Sequence, residues 1–241
     1  MTQAEREWEN YSAKYRTYIR LERGLADNTV ESYMRDLNRF SRFVTERYGI
    51  SPLEVDAAAV EEFLTSLFEA GTEKSTQNRT LSGVSSFFDF LVRTDLLEKS
   101  PTEFVDRPKT GHYLPDTLSV EEIDAILDAI DVSTRHGYRN RTMIEMLYSC
   151  GLRVSELTSL RISDLFFEEG FIRVLGKGSK QRLVPIGAGC RAQVETYLRE
   201  YREQPADEKS SDTLFLNRQG RKLSRVMVFN AVKEAATTAG I

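Results

Sequence analysis

Cysteine is scarce in this 241-residue chain, with only Cys150 and Cys190. Two cysteines suit a reducing compartment; a single disulfide between them is open, but a disulfide-stapled scaffold is excluded. No apolar run approaches the ~20 residues that cross a bilayer, so no membrane partner is expected. The polar start, MTQAEREWEN, is not a signal peptide, and a cytoplasmic location follows as an expectation. Internal repeats and low-complexity tracts are missing. So is a basic excess: 33 Lys+Arg stand against 37 Asp+Glu, a net charge of −4. Residues 1–110 hold 15 and 19 of these, and residues 111–241 hold 18 and 18. Bulk charge therefore does not announce a polyanionic partner, and any such partner must be read from clustering.

What is present is ordinary for a globular protein, 40% hydrophobic and 29% charged, and long enough for two modest domains. The first part reads as four helices punctuated by glycine. They cover about 5–22, from Asp27 as N-cap to Gly49, 56–70, and 75–94. In the second of them Val30, Tyr33, Met34, Leu37, Phe40 and Val44 recur as one helical face. Four helices in about 100 residues suggest a small bundle. The stretch KSPTEFVDRPKTGHYLPDTLS, with three prolines and no periodicity, reads as a linker. Helical pattern resumes at Ser119, which forms a Ser-x-x-Glu capping box with Glu122. A helix over about 139–148 follows. FIRVL and RLVPI alternate apolar and polar residues around GKGSK, the pattern of a hairpin. A helix over about 191–201, a short strand and turn in DTLFLNRQGRKLS, and a final helix from about Arg225 complete the chain. The sequence stops within that last helical pattern. The whole is expected to be mainly α with a small antiparallel β-sheet, an α+β protein.

Basic residues fall into stripes. Arg16, Arg20 and Arg23 lie at i, i+4, i+7, as do Arg35, Arg39 and Arg42. The fourth helix opens with EKSTQNRT, which sets Lys74, Thr76, Asn78 and Arg79 near a helix start, where donors suit phosphate oxygens and base edges. Solvated faces of amphipathic helices look the same, so both readings stand. Lys177, Lys180 and Arg182 crowd the hairpin, and Arg218, Arg221, Lys222 and Arg225 form a second basic patch. In YSCGLRVSELTSL, Arg153 sits in a small or apolar run with Glu156 three residues on.

The combination MLYSCGLRVSELTSLRISDL and FIRVLGKGSKQRLVPIG resembles the catalytic domain of Xer-type tyrosine recombinases of the phage-integrase family. ERGLADNTVESYMRDLNRF and STQNRTLSGVSSFFDFL are similar to that family's N-terminal core-binding domain. The resemblance implies a SAM-like DNA-binding domain over residues 1–106, a linker over 107–118 and a catalytic domain over 119–241. It implies cutting and rejoining of double-stranded DNA without metal, ATP or other cofactor, through a 3′-phosphotyrosyl link. It further implies a tetramer on DNA, with a paralogous recombinase and a septal DNA translocase as candidate partners. Absence of an arm-binding module points to chromosome dimer resolution. An integrase of a mobile element is the nearest alternative, and a non-catalytic DNA-binding protein with the same fold the other. By the same resemblance Arg153 and Lys177 are catalytic, the latter as general acid, and Glu156 supports Arg153. Arg35, Arg39, Lys74, Thr76, Asn78, Arg79, Lys180 and Arg182 are expected at the DNA. The family's later His-x-x-Arg motif and tyrosine have no counterpart in these residues, so the catalytic domain is expected to be incomplete at its C-terminus and inactive in cleavage. HGYR, residues 136–139, precedes Arg153 and is read as a chance match.

Overall fold

A computed structural model describes residues 1–109, 116–176 and 180–241. The chain divides into two compact units, Met1–Leu114 and Pro115–Ile241.

In the first unit α1 (Gln3–Thr17) runs into a π-helical turn, Tyr18–Glu22, followed by α2 (Asp27–Tyr48), α3 (Ala57–Glu69) and α4 (Lys74–Arg93). The expected four helices are present. Asp27 is the first residue of α2 rather than its cap, which is Ala26 without a side-chain bond. Asp56 does cap α3, accepting the Ala59 amide at 2.9 Å. The predicted apolar face of α2 is buried at Val30, Leu37, Phe40 and Val44. It meets an aromatic core in which Trp8 stacks on Phe87 and Phe40 meets Phe63 edge to face, with centroids 5.7 and 5.0 Å apart. Rings at these separations add to the area they bury. Residues 107 and 108 of the expected linker are tied to α4: Arg107 Nη1 donates to Ser82 Oγ (3.0 Å) and Asn78 Nδ2 to the Pro108 carbonyl (2.7 Å).

The second unit holds α5 (Val120–Asp128), α6 (Arg135–Ser149), α7 (Val154–Ser159), α8 (Ala188–Thr196) with a π-helical turn at Tyr197–Tyr201, short α9 (Glu208–Ser211) and α10 (Arg225–Ala239). The Ser119 capping box is formed, with Glu122 N to Ser119 Oγ at 3.2 Å and Ser119 N to Glu122 Oε2 at 2.7 Å. The expected hairpin is β2 (Phe171–Leu175) against β3 (Gln181–Pro185), joined on its other edge by β1 (Leu165–Phe166) into an antiparallel sheet of order β1-β2-β3. Two residues carry too little alternation to be read as a strand in advance. DTLFLNRQGRKLS makes isolated bridges, Arg161 with Thr213 and Leu216 with Lys222, in place of the expected strand. α10 is closed by Gly240 at φ 78°, with the Ile241 amide returning to the Ala236 carbonyl (2.9 Å), a left-handed glycine cap. The core between sheet and helices includes Leu157, Ile172, Val174, Val194, Tyr197 and Phe215. Among the described residues no helix is long and apolar enough to cross a membrane.

Candidate active site

Gly151, at φ 57°, closes α6 in the left-handed region, which glycine enters without steric cost. The Leu152 amide returns to the Leu147 carbonyl (3.2 Å) and its side chain is buried. The chain therefore reverses, and Arg153 emerges as the extended N-cap residue of α7, at φ −72° and ψ 149°. Glu156, one turn on, reaches back. Its Oε2 accepts the Arg153 amide at 2.8 Å and its Oε1 accepts Arg153 Nη1 at 2.9 Å. This is not a surface pair along a helix face: the Glu156 side chain is 3% exposed and that of Arg153 70%.

A second guanidinium completes the group. Arg182 donates Nη1 to Glu156 Oε1 (2.5 Å) and Nη2 to Oε2 (3.0 Å). The carboxylate thus takes four N–H donors, two on each oxygen. Arg182 foremost, and then Arg153, hold its pKa down to about 2, against burial that would raise it. Two arginines and one carboxylate leave a net charge of +1 around a fixed, largely exposed guanidinium. Such a group can bind phosphate oxygens and stabilise the extra negative charge of a phosphoryl-transfer transition state.

The sequence reading sends Arg182 to the DNA backbone, yet its fork is occupied by Glu156. Register explains this: Arg182 pairs with Val174 across the hairpin, cross-strand partners share a face, and Val174 is buried. Lys180 is exposed, and its carbonyl accepts the Gly176 amide at 2.7 Å, closing the hairpin neck. Lys177, the expected general acid, lies outside the described residues.

The expected contact residues of the first unit separate into two sets. Arg35 and Arg39 are exposed one turn apart on α2, and Lys74 is exposed at the start of α4, with Thr76 half-buried behind it. Arg79 and Asn78 have hydrogen-bond partners within the unit, although Arg79 is itself exposed. Arg79 Nη1 is 2.6 Å from Asp36 Oδ2 and 2.8 Å from Ser32 Oγ, and Asn78 is tied to Pro108 as described. Arg16, Arg20 and Arg23 are all exposed, with Arg20 in the π-helical turn and 3.9 Å from Asp27.

HGYR has structural partners. Arg139 is buried with Nη1 on the Leu216 carbonyl (3.0 Å), and His136 Nε2 accepts Arg218 Nε (2.6 Å). Lys222 donates to Ser159 Oγ (2.9 Å). With Arg161, Arg173 and Lys209 it lines a concavity of about 700 Å³ at the end of α7 remote from Arg153. Sequence reasoning does not single out those three, since only the fold gathers cations from such distant segments. Arg173 there is paired with Asp164 at 2.7 Å. Among the described residues no group of three or more His, Cys, Asp or Glu side chains is placed to hold a metal ion.

Residues 116–241 match the phage integrase family, and residues 13–95 match the N-terminal SAM-like domain of phage integrases. The chain belongs to the phage integrase family. Within it the kinship is with Xer-type tyrosine recombinases. Tyrosine recombinase XerD of Staphylococcus aureus is 37% identical over 229 residues, spanning 95% of this chain and 77% of that protein. Tyrosine recombinase XerD of Chlorobaculum tepidum is 38% identical over 246 residues, 100% of this chain and 80% of that one. A lambda integrase fragment, solved as a dimer bound to a COC′ core site, shares the fold at a TM-score of 0.75 and 16% identity, covering 97% of this chain and 81% of that one.

Proposed function

We propose that this chain is the DNA-binding and phosphate-activating part of a site-specific tyrosine recombinase, cutting and rejoining double-stranded DNA through a 3′-phosphotyrosyl intermediate. The observation that carries the reading is Arg153, mostly exposed and held by a buried carboxylate at two points. In this reading Arg153 grips the scissile phosphate, Glu156 holds Arg153, and Lys177 gives a proton to the leaving 5′-oxygen. Arg35, Arg39, Lys74, Thr76 and Lys180 contact DNA. In this reading none of the ten tyrosines here is the nucleophile, and the polypeptide by itself binds duplex DNA and forms no adduct. The kinship with XerD supports chromosome dimer resolution as the cellular role. By the same analogy the working form is a cytoplasmic tetramer on DNA, with a paralogous recombinase and a septal translocase as candidate partners. The DNA-binding and catalytic parts are residues 1–106 and 119–241, with 107–118 between them.

The test uses the natural full-length protein on a nicked suicide substrate. Wild type should trap a covalent adduct and Arg153→Ala should lose it by about 100-fold or more, the scale of a lost oxyanion donor. Equal trapping by the two would remove Arg153 from the reaction.

A further inference from the structure

We propose that Arg182 is a positioning residue for phosphoryl transfer, acting through Glu156 on Arg153 and on the neck of the hairpin; this rests on the recombinase reading above. Three observations carry it. The first is the bidentate geometry: Arg182 takes one contact on each Glu156 oxygen, at 2.5 and 3.0 Å, so it fixes the plane of the carboxylate and not merely its charge. The second is the sharing of that carboxylate. Oε1 also holds Arg153 Nη1, and Oε2 also holds the Arg153 amide. A carboxylate free to rotate would release one or both. The third is Gly176. A Cβ built on Gly176 would lie 3.5 Å from Arg182 Nη1 and 3.6 Å from Glu156 Oε1, so the ion pair borders the hairpin neck at this glycine. Gly176 directly precedes Lys177 in the chain. One side chain on β3 therefore sets the base of the hairpin and the arginine turn together. The Arg182 side chain is 38% exposed, and both of its terminal nitrogens already donate to Glu156.

A backbone-contact role and a positioning role differ in what they move. Losing one phosphate contact lowers the slope of log K against log salt by about 0.9. Losing a positioning residue leaves that slope alone and slows the step made at saturating DNA, by about 10- to 100-fold for a misplacement near 1 Å.

The experiment uses Arg182→Met, Arg182→Lys and Glu156→Gln, singly and with Arg182→Met and Glu156→Gln combined, in the natural full-length protein. Duplex affinity is measured against salt, single-turnover adduct formation at saturating suicide substrate, and the Glu156 carboxyl titration by carbon NMR. Positioning requires an unchanged salt slope, a slowed adduct step, and a Glu156 titration shifted upward in Arg182→Met. It also requires the double variant to be no slower than the slower single. Arg182→Lys, which keeps the charge on a single donor nitrogen, should recover part of the rate, and it serves as the working variant should Arg182→Met fail to fold. A salt slope lowered by about one, or additive rate losses, would overturn the proposal in favour of a direct DNA contact. Should wild type form no adduct, the recombinase reading falls, while the salt slope and the Glu156 titration still decide what Arg182 does.

Discussion

Arg79 and Asp36 join α4 to α2 through a 2.6 Å contact, with the Asp36 side chain 5% exposed and that of Arg79 49%. The pair sits on helices whose neighbouring residues, Arg35 and Lys74, are exposed. It is sealed from behind by Gly83, where a Cβ would come within 3.1 Å of the Asp36 side chain. Arg79 is thus first a brace and only second a surface cation.

Replacing Arg79 and replacing Arg35 should consequently have different signatures. Arg79→Ala strands a buried carboxylate and should lower stability by about 1–3 kcal/mol. Arg35→Ala and Arg39→Ala should leave the unfolding free energy within about 0.5 kcal/mol and each reduce the salt slope of duplex binding by about 0.9. Urea denaturation and fluorescence anisotropy across salt separate the two classes. An unchanged slope in Arg35→Ala would remove that residue from the interface.

The Glu156 carboxyl titrates at about 2 in the folded protein, held down chiefly by Arg182, whereas in the unfolded chain it returns to about 4.3. A folded pKa below the unfolded one contributes stability above the unfolded value, lost as pH falls towards the folded one. Wild type should be more stable than Glu156→Gln at pH 7, and the gap should close between about pH 4.5 and 2. A gap constant over that window contradicts the assignment.

Helix capping gives a matched pair of variants. Asp56 accepts the Ala59 amide at the start of α3, while Asp27 follows the cap position of α2. Asp56→Ala should cost about 1 kcal/mol. Asp27→Ala should cost only a few tenths, through the helix dipole. Equal losses in thermal denaturation would show that Asp27 has a capping role in solution.

Cys150 and Cys190 are both free and buried, and their side chains are neighbours. The neighbouring sulfur and burial push the Cys190 thiol up, and a raised, buried thiol is a poor nucleophile. Both should react with a disulfide reagent at least ~100-fold more slowly in the native protein than in urea, as groups exposed only by opening do. Prompt native labelling of Cys190 would contradict its burial.

Much of the fold was legible because the helices are strongly periodic and the hairpin alternates around a glycine-lysine turn. Val30, Leu37, Phe40 and Val44 proclaim their face, and Ser119 with Glu122 announces a helix start. β1 escaped because two residues show no period, and both π-helical turns escaped because one added residue leaves the apolar spacing nearly intact. In the site, the Arg153–Glu156 relation could be read from spacing and family resemblance. Its burial and its third member could not. Arg182 lies 26 residues from Glu156, and only strand register tells which face it takes. The partners of Asn78 and Arg79 were hidden for a similar reason: a polar helix start suits DNA, but also suits Pro108 and Asp36.

The π-helical turn at Tyr197–Tyr201 has a consequence for chain length. A π turn holds one residue more than the α turn it replaces, so everything beyond it is rotated by about 100° and advanced by about 1.5 Å relative to a regular helix. That offset delivers Arg202 to the carbonyls of Leu214, Ser210, Ser211 and Thr213 at 2.8–3.3 Å and lets Tyr201 stack on Tyr138 with centroids 4.0 Å apart. The surplus residue acts as a spacer. Excising one residue there would leave a better helix locally while pulling four carbonyls of α9 and the residues after it away from their only shared guanidinium donor among the described residues, so in this stretch the number of residues matters more than which residues they are.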